Sequence, residues 1–275
     1  MRAENHTQVR APLNPAALRR ALARAGGLWR APEVVESTGS TNADLLARAL
    51  AGEPEGVVLA AEEQRAGRGR MGRTWTSPPR AALTVSVLLK PAVPPARRGW
   101  LPLLTGVAVA TAVTQVTGVE TRIKWPNDLL TADAKLAGIL AEAAGDAVVV
   151  GIGLNVSTEP AELPTPRPGA LPATSLAAAG ATALDRGELL LAILAGLEHR
   201  YRAWQQAGGD PDRSGLRQEY LRWSATIGRT VRAELPGGQA LSGPAAGVDS
   251  DGRLLVRVSS GSDVAVAAGD VVHLR

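Results

Sequence analysis

The segment "TRIKWPNDLLTADAKLAGILAEAAGDAVVVGIGLNV", residues 121–156, decides the fold class, because it carries three strand candidates in succession. These candidates are "TRIKWPND", "KLAGILAEA" and "AVVVGIGLNV", and only short turns separate them. An alternating α/β fold needs a helical crossover between consecutive parallel strands. The segment has no room for one, so it predicts an α+β fold in which strands adjacent in sequence form one sheet.

The flanking segments supply the remaining elements. The runs "GVVLAAEEQ" and "AALTVSVLLK" are two further strand candidates, the second with alternating polar and apolar residues. Thr41 stands three residues before Asp44, the spacing of a capping box, and predicts a helix over 42–51. Apolar periodicity and length predict the other helices, which are 13–25, 99–118, 186–206 and 212–223.

The sequence pattern changes after Trp223, where short β-rich runs recur about every 8 to 12 residues between Gly-, Asp- and Ser-rich turns. This pattern is typical of a small all-β barrel. The sequence therefore predicts an N-terminal extension with one short helix (1–30), a larger α+β domain (31–223) and a C-terminal β domain (224–275).

Composition excludes several classes of protein. Hydrophobic residues make up 45% of the 275-residue chain, which is enough for a packed core. Cysteine is absent and the three histidines lie far apart, so disulfides, thiolate nucleophiles and Cys/His metal sites are excluded. No signal-peptide core and no unbroken apolar run of membrane-spanning length is present. These features predict a cytoplasmic protein without a membrane segment.

The distribution of charge indicates an anionic ligand. The net charge is +4, and only three of the 30 basic residues are lysines, namely Lys90, Lys124 and Lys135. Between Glu63 and Glu120 there is no acidic residue. The same interval contains eight basic residues, which are Arg65, Arg68, Arg70, Arg73, Arg80, Lys90, Arg97 and Arg98. Such asymmetry suggests that part of this region faces an anion.

The stretch "GRGRMGRTWTSPP", residues 67–79, superficially matches a dinucleotide-binding turn and a phosphate-binding P-loop. Both motifs require a helix to follow, and Pro78-Pro79 forbids it. The stretch also lacks the repetition of a disordered RG segment. What remains is an anion-binding loop with Arg68, Arg70 and Arg73, and with Trp75 as an aromatic plane. A solvated basic loop is the alternative.

Three more stretches concentrate polar residues at predicted strand ends. "KWPNDLL" carries Lys124, Asn127 and Asp128, "KLAGIL" carries Lys135 and Gly138, and "GIGLNV" carries Gly151, Gly153 and Asn155. Asp128 beside two lysines could bind a hydrated metal ion. Taken singly, "WPND" is equally compatible with a tight turn and "GIGLN" with close strand packing.

Taken together and in this order, the stretches "STN" (40–42), "QRAGRGRMGRTW" (64–75), "KWPNDLL" (124–130), "KLAGILAE" (135–142), "GIGLNV" (151–156) and the C-terminal "GVDSDGRLLV…GDVVHLR" resemble the biotin–protein ligase family. The similarity spans residues 36–275. It implies a mixed-sheet catalytic domain like those of class II synthetases and lipoate ligases, followed by an SH3-like barrel.

The resemblance also implies a two-step reaction. The carboxylate of biotin attacks the α-phosphate of ATP, giving biotinyl-5′-AMP and pyrophosphate, with Mg²⁺ as the metal. A lysine of a biotin carboxyl carrier domain, in a biotin-dependent carboxylase such as acetyl-CoA carboxylase, then attacks the adenylate. Because no covalent enzyme intermediate forms, the missing cysteine is expected.

Residue roles follow from the same motifs. The catalytic residues implied are Lys135 and Arg70. The biotin-binding residues implied are Ser40, Thr41, Asn42, Gln64, Arg68, Gly69, Arg70, Lys135 and Gly138. The ATP-binding residues implied are Arg70, Arg73, Trp75, Lys124, Asn127, Asp128, Lys135 and Asn155, with Asp128 on the Mg²⁺ side.

The chain departs from the family's DNA-binding branch, which has an N-terminal winged helix. Such a module needs roughly three helices and a hairpin, whereas about 35 residues with one helix precede the first motif. We therefore expect a ligase that does not bind DNA. Met71 stands where some members have arginine. A lipoate–protein ligase and a non-catalytic regulator are the alternatives, and the oligomeric state, a homodimer included, stays open.

Overall fold

The computed structural model describes residues 10–166, 170–234, 240–267 and 269–274. Its larger part is a seven-stranded sheet with strand order β1-β2-β3-β7-β6-β5-β4. The strands are β1 (Glu33–Val35), β2 (Val58–Ala61), β3 (Ala82–Leu89), β4 (Arg122–Lys124), β5 (Asp128–Thr131), β6 (Ala134–Ala144) and β7 (Ala147–Asn155). Strands β1 and β2 pair in parallel and all other neighbours are antiparallel. The prediction of an α+β fold with a mixed sheet is confirmed.

In the described residues, five α-helices accompany the two sheets, namely α1 (Pro15–Ala25), α2 (Thr41–Leu50), α3 (Trp100–Thr117), α4 (Arg186–Gln206) and α5 (Leu216–Trp223). Helix α3 is apolar around most of its circumference and packs against α4, α5 and the sheet. The helical stretch Pro95–Thr117 is long and apolar enough to cross a membrane by composition, but 67% of its apolar window is buried inside the protein. It is the central core helix.

Strand β3 shows how the sheet divides its two faces. Leu83, Val85 and Val87 belong to the main hydrophobic core, on which α3 and α4 pack. Leu88 points to the opposite face, where it packs in a smaller apolar cluster with Leu45 of α2. The polar residues of β3, Thr84 and Ser86, lie on this second face and are also buried, with Ser86 against Thr41 and Asn42 at the start of α2. This face therefore continues from an apolar patch into a polar one.

Three sequence expectations needed correction. "TRIKWPND" is not one strand, because β4 ends at Lys124 and a turn with a cis Trp125–Pro126 peptide leads into β5. Proline has no N–H for a ladder bond, and the Trp125 N–H donates outside the sheet, to Thr226. The short strand β1 was also missed. Helix α5 begins at Leu216 rather than 212, after Gly215 with a φ of 75°.

The cap of α2 is a fourth correction. Ser40, not Thr41, is the N-cap, and its hydroxyl accepts from the N–H of Ala43. The hydroxyl of Thr41 is instead hydrogen-bonded to the side chains of Gln64 and Ser86. A tertiary contact thus displaces the capping box that the spacing of Thr41 and Asp44 predicts.

The second sheet is antiparallel, with order β11-β10-β9-β8-β12. Its strands are β8 (Thr230–Glu234), β9 (Ala240–Val248), β10 (Leu254–Arg257), β11 (Asp263–Val266) and β12 (Asp270–His273). This agrees with the predicted small C-terminal β domain. The indole N–H of Trp125 donates to the carbonyl of Gly252 at 3.1 Å, so the turn after β4 is bound directly to this sheet.

The segment before β1 is also fastened to the large sheet. Arg186, at the start of α4, forms a buried ion pair with Glu62 at 2.7 Å and donates to the carbonyl of Ala11. The other carboxylate oxygen of Glu62 accepts from the N–H of Leu13 at 2.6 Å. The N-terminal residues from Ala11 onward are therefore held against the end of β2.

Candidate active site

Two glycines form the floor of the candidate site. Gly138 of β6 and Gly153 of β7 are direct neighbours in the sheet, on the face that α2 leaves open. A Cβ at Gly153 would lie 2.4 Å from the Trp75 indole, and one at Gly138 would lie 3.3 Å from it. The absence of side chains at this pair therefore lets a flat ring lie directly on the backbone. The Trp75 indole lies there, and its buried Nε1 has no hydrogen-bond partner within the described part of the chain.

The glycine–arginine loop, residues 67–75, is a narrow hairpin above this floor. Trp75 N donates to Gly67 O at 2.9 Å, and Gly69 N donates to Arg73 O at 2.7 Å. Arg68 and Thr74 pair as an isolated antiparallel β-bridge. Met71 turns the tip with a φ of 55° and its side chain is exposed. The prediction of a loop rather than a helix N-terminus is correct, because the only helical element here is one 3₁₀ turn, Arg70–Gly72.

Two arginines bind the loop to its surroundings through three contacts. Arg70 donates to Asn127 Oδ1 at 3.1 Å and to the carbonyl of Gly269 at 3.4 Å. Arg73 forms an ion pair with Asp270. The first anchor lies in the turn before β5 and the others lie at the start of β12, so both sheets hold the loop.

Lysine and aspartate meet at the edge of the glycine floor. Nζ of Lys135 lies 2.7 Å from Oδ1 of Asp128 and 6.0 Å from the centre of the Trp75 ring. The contact with Asp128 is an ion pair without hydrogen-bond geometry, because the same oxygen has no hydrogen-bond partner among the described residues. Asn127 is fixed beside it by donating to the carbonyl of Ile139 at 3.0 Å.

The electrostatics of this cluster favour an anion. Burial lowers the pKa of Lys124, the attraction of Asp128 opposes that shift, and Lys135, Arg73 and Arg70 lower the pKa further. Burial likewise lowers the pKa of Arg70, with Asp128 opposing and Arg73 adding to the effect. Four cations thus surround Asp128, and within the residues that the structure describes only Arg73 has a further carboxylate, Asp270, so a bound anion would relieve their mutual repulsion.

A second polar group lies at the start of α2. The side-chain oxygen of Gln64 accepts from Thr41 N at 2.8 Å and from Thr41 Oγ1 at 3.0 Å. Asn42 lies over Gly151, where a Cβ would be 2.2 Å from Asn42 Oδ1. Thr41 and Asn42 are both buried, and their side-chain polar atoms are all hydrogen-bonded. This part of the sheet face is therefore covered by a polar, hydrogen-bonded layer.

A cavity of about 540 Å³ lies under the loop. Residues 66–74 line it on one side, and Leu140 and Glu142 of β6 line it on the other. A second cavity, of about 500 Å³, lies beside α1 and the start of α4. It is remote from the lysines and the loop, and its arginines Arg10, Arg80 and Arg186 are each paired with a glutamate. We therefore place the chemistry at the first cavity.

The structure brings most of the predicted residues together in two adjoining groups. Arg70, Arg73, Trp75, Lys124, Asn127, Asp128, Lys135 and Gly138 surround the glycine floor, while Ser40, Thr41, Asn42, Gln64, Arg68 and Gly69 lie toward α2 and the loop. Asn155 is turned to a different partner, since its amide donates to the carbonyl of Thr174 at 2.8 Å. Thr174 N in turn donates to the carbonyl of Lys135 at 2.9 Å, so Asn155 supports the strand of Lys135.

Four residues of the site were missed from the sequence. Ser86 bonds to Thr41 and Asn42, and Glu142 bonds to Asn42. Gly269 and Asp270 bind the loop from the C-terminal sheet. Ser86 looked like an ordinary polar residue of an alternating strand, and nothing in the local sequence links residue 270 to the loop.

Comparison with known proteins gives consistent results along the chain. The sequence model of the Biotin/lipoate A/B protein ligase family matches residues 33–158, and that of the Biotin protein ligase C terminal domain matches residues 226–274. The chain is 46% identical over 273 residues to the biotin–[acetyl-CoA-carboxylase] ligase of Mycobacterium tuberculosis, covering 98% of each.

Two solved structures extend the comparison. The biotin protein ligase of Aquifex aeolicus in complex with biotin and ATP matches with a TM-score of 0.72 at 26% identity, over 89% of this chain and 98% of that one. The biotin protein ligase of Leishmania major in complex with biotinyl-5-AMP matches with a TM-score of 0.59 at 26% identity, over 86% and 98%.

Proposed function

The chain belongs to the biotin/lipoate A/B protein ligase family and is a biotin–protein ligase, and from this premise we propose how its own residues act. They activate biotin as biotinyl-5′-AMP and transfer it to a lysine of a carboxyl carrier domain. The observation that carries the assignment of the site is the cation cluster around Asp128, which lies beside the glycine floor. A cluster of this kind suits the joining of a carboxylate to a phosphate.

Charge neutralisation is the main task of the first step. A carboxylate and a phosphate repel each other, and negative charge accumulates as they join. Lys135 lies at the edge of the glycine floor, and Arg70 and Lys124 lie close enough to affect the same electrostatic field. Positive groups fixed before the reaction stabilise such charge without reorganising, and removing one typically costs about 10²–10³ in rate.

The ion pair of Lys135 and Asp128 prepares this role. Without an anion, Asp128 holds the ammonium of Lys135 beside the floor at 2.7 Å. A bound carboxylate and phosphate would compete for that ammonium, so Lys135 moves from one partner to another rather than from water into the site. This preorganisation favours the transition state.

The loop supplies closure. Arg68, Arg70 and Arg73 lie on a hairpin that both sheets anchor, and Trp75 lies flat on the floor. An aromatic plane on a backbone floor suits a purine ring, and its unpartnered indole N–H is free to find an acceptor. A closed loop also shields a mixed anhydride from hydrolysis.

The residues present fit a hydrated magnesium ion. Such an ion keeps several waters and needs only one or two carboxylates besides the phosphates of its substrate. Asp128 offers a buried oxygen without a hydrogen bond, and the Asn127 amide lies next to it. We assign Asp128 to the metal side, where Mg²⁺ would neutralise phosphate charge. The described residues contain no group of three carboxylates or histidines that would make a permanent metal site.

The partner and the cellular role follow as proposals. The name of the Mycobacterium tuberculosis relative supports a carrier domain of acetyl-CoA carboxylase as the acceptor. We also propose that the enzyme acts in the cytoplasm without binding DNA or membrane, since α1 packs on α4 as part of the catalytic unit. We propose in the same way that the boundary between this unit and the C-terminal domain lies near residue 224. A homodimer is likewise a proposal.

One experiment tests the function directly. The purified chain is incubated with biotin, ATP, Mg²⁺ and a purified carrier domain of acetyl-CoA carboxylase, and the mass of the carrier is measured. We expect one biotinyl group per carrier, dependent on ATP. Calorimetry with biotin and with lipoate tests the substrate, and preferential binding of lipoate would contradict the proposal. A gel shift at physiological salt tests the absence of DNA binding, because phosphate-driven binding weakens steeply as salt rises.

A further inference from the structure

A continuous row of side chains connects the start of α2 to β6. Gln64 bonds to Thr41, Thr41 Oγ1 lies 2.7 Å from Ser86 Oγ, and Ser86 donates to Asn42 Oδ1 at 2.6 Å. The row ends where Asn42 Nδ2 donates to Glu142 Oε2 at 2.7 Å. Three of its five members, Thr41, Asn42 and Ser86, are buried, so water does not compete for the hydrogen bonds that they form with one another.

The carboxylate of Glu142 gives this row a direction. An ionised carboxylate only accepts hydrogen bonds, so the Asn42 amide must turn its Nδ2 toward it. The Asn42 carbonyl oxygen then faces Ser86, whose single hydroxyl hydrogen is donated to it. Ser86 can bond to Thr41 only as the acceptor, and Thr41 must give its hydrogen to Ser86 or Gln64.

Thr41 Oγ1 therefore accepts no hydrogen bond from Ser86, so its lone pairs stay available while its one hydrogen is already given away. Such an oxygen accepts from a ligand N–H and repels a ligand carbonyl or ring oxygen. Under the proposed function, Thr41 is at the biotin end of the site, and the ureido ring of biotin carries two N–H groups. The dithiolane ring of lipoate carries none.

We propose that Glu142 is a positioning residue that sets the preference for an N–H-bearing head group, acting through Asn42 and Ser86 on Thr41. The inference rests on the proposed function. It adds to that function a residue on β6 that does not itself need to touch the ligand. The Leu140 carbonyl, at 3.2 Å from Asn42 Nδ2, is a second and weaker acceptor for the same amide, so the loss of Glu142 weakens the direction without removing it.

Glu142 has one other neighbour that has to be separated from this role. Arg68 NH1 of the loop lies 4.0 Å from Glu142 Oε1, with the Arg68 side chain 55% exposed. A contact of this kind contributes little. Replacing Glu142 by glutamine removes the charge that attracts Arg68 but keeps an oxygen that accepts from Asn42. The Leu140 carbonyl still favours the amide orientation in which Asn42 Nδ2 donates, so Glu142→Gln distinguishes the two contacts.

The test measures biotin binding by calorimetry without ATP, and KM for ATP in pyrophosphate release, for the wild type, Glu142→Ala and Glu142→Gln. We expect Glu142→Ala to weaken biotin binding about tenfold, with KM for ATP changed less than about twofold. We expect Glu142→Gln to stay within about threefold of the wild type. Equal losses in both variants would assign the effect to Arg68 and overturn the proposal, as would unchanged biotin binding in Glu142→Ala.

A double-mutant cycle with Ser86→Ala supplies a readout that a merely structural role would not move. Ser86 and Glu142 are joined only through Asn42, so in the proposed row the second substitution costs much less than it costs alone. Additive losses would overturn the proposal. A wild-type chain that binds no biotin would instead contradict the proposed function, so the two failures are distinguishable.

Discussion

The guanidinium of Arg73 in the glycine–arginine loop forms an ion pair with the carboxylate of Asp270, the first residue of β12. The C-terminal sheet thus holds the loop that covers the candidate active site. Its neighbour Gly269 accepts from Arg70, so two adjacent residues of this sheet bind two arginines of the loop. The small sheet is part of the wall of the site.

Replacing Asp270 by alanine should loosen the loop without unfolding the protein. Both side chains of the pair are partly exposed, so the free energy of unfolding should change by less than about 1 kcal/mol. KM for ATP should rise about two- to tenfold, because the loop is closed for less of the time. Asp263→Ala is the matched control, since it breaks the exposed Arg257–Asp263 pair in the same sheet, away from the loop. The same KM in both variants would show that the contact has no role in closure.

Lys135→Ala should reduce formation of the adenylate by about 10²–10³, because a preorganised cation at the developing charge is lost. The measurement is pyrophosphate release with biotin and ATP, combined with a melting curve that should stay cooperative. Lys90→Ala is the control, because Lys90 follows β3 and does not belong to the cation cluster. Near-normal pyrophosphate release by the Lys135 variant would rule out the assignment.

Gly153→Ala should displace the Trp75 indole, because the new methyl carbon would lie 2.4 Å from a ring carbon. We expect altered tryptophan fluorescence and a KM for ATP raised about tenfold. Gly247→Ala serves as the control, since a Cβ there meets nothing within 4 Å. Unchanged fluorescence and kinetics in the Gly153 variant would mean that the floor does not need to be bare.

Arg186→Ala should destabilise the fold by about 3–5 kcal/mol, because it leaves a buried carboxylate without its partner. The Glu62 side chain is 1% exposed and also holds Leu13 N, so the N-terminal segment loses its anchor at the same time. Urea unfolding measures the change. Arg257→Ala, at an exposed pair, should leave the urea midpoint in place. A loss as small in the Arg186 variant would contradict the importance of this buried pair.

Stability should fall between about pH 6.5 and pH 4 because of His273. Burial, together with Lys124 and Arg229, lowers its pKa from 6.5 to about 4 in the folded state. In this window the unfolded chain binds more protons, so stability is full above pH 6.5 and decreases as the pH falls. The contribution is about 1 kcal/mol once solvent screening of the half-buried ring is included.

The neutral ring also has a hydrogen-bond partner, because Thr226 Oγ1, which accepts from Trp125 N, can give its own hydrogen to an unprotonated His273 Nε2 at 3.1 Å. A protonated ring could not accept that bond. Urea midpoints of the wild type and His273→Gln between pH 7.5 and pH 4.5 test the prediction. Identical pH dependence in the two proteins would refute it.

Local patterns were sufficient for much of the fold. Alternation in β3, the succession of strands over 121–156 and the apolar α3 identified the sheet and its core helix, because period and length are encoded within a few residues. Strand β1 has three residues and a parallel partner 26 positions away, so no local signal marks it. The turn at Trp125–Pro126 was misread because its N–H is bonded to Thr226, about 100 residues further on.

The candidate site, like the fold, could be predicted only in part from the sequence. Motif resemblance identified the loop, Lys135 and Asp128 as candidates, and these residues lie close together in the structure. Thr41 was expected to cap α2, but Ser40 does so, because Gln64 and Ser86 take the Thr41 hydroxyl. Ser86 and Glu142 become visible only when strand register places β3 and β6 on either side of β7. Such partnerships depend on sheet order, which a linear pattern does not contain.

The bare floor at Gly138 and Gly153 also bears on inhibition and resistance. A flat inhibitor stacked on the Trp75 indole would rest on a ring that main-chain atoms support from below, and main-chain atoms cannot be exchanged by mutation. A larger residue at Gly153 would exclude the inhibitor only by displacing the indole on which we propose that the natural purine stacks. Escape by single substitutions would then carry a cost in growth, which makes this patch of backbone a durable target.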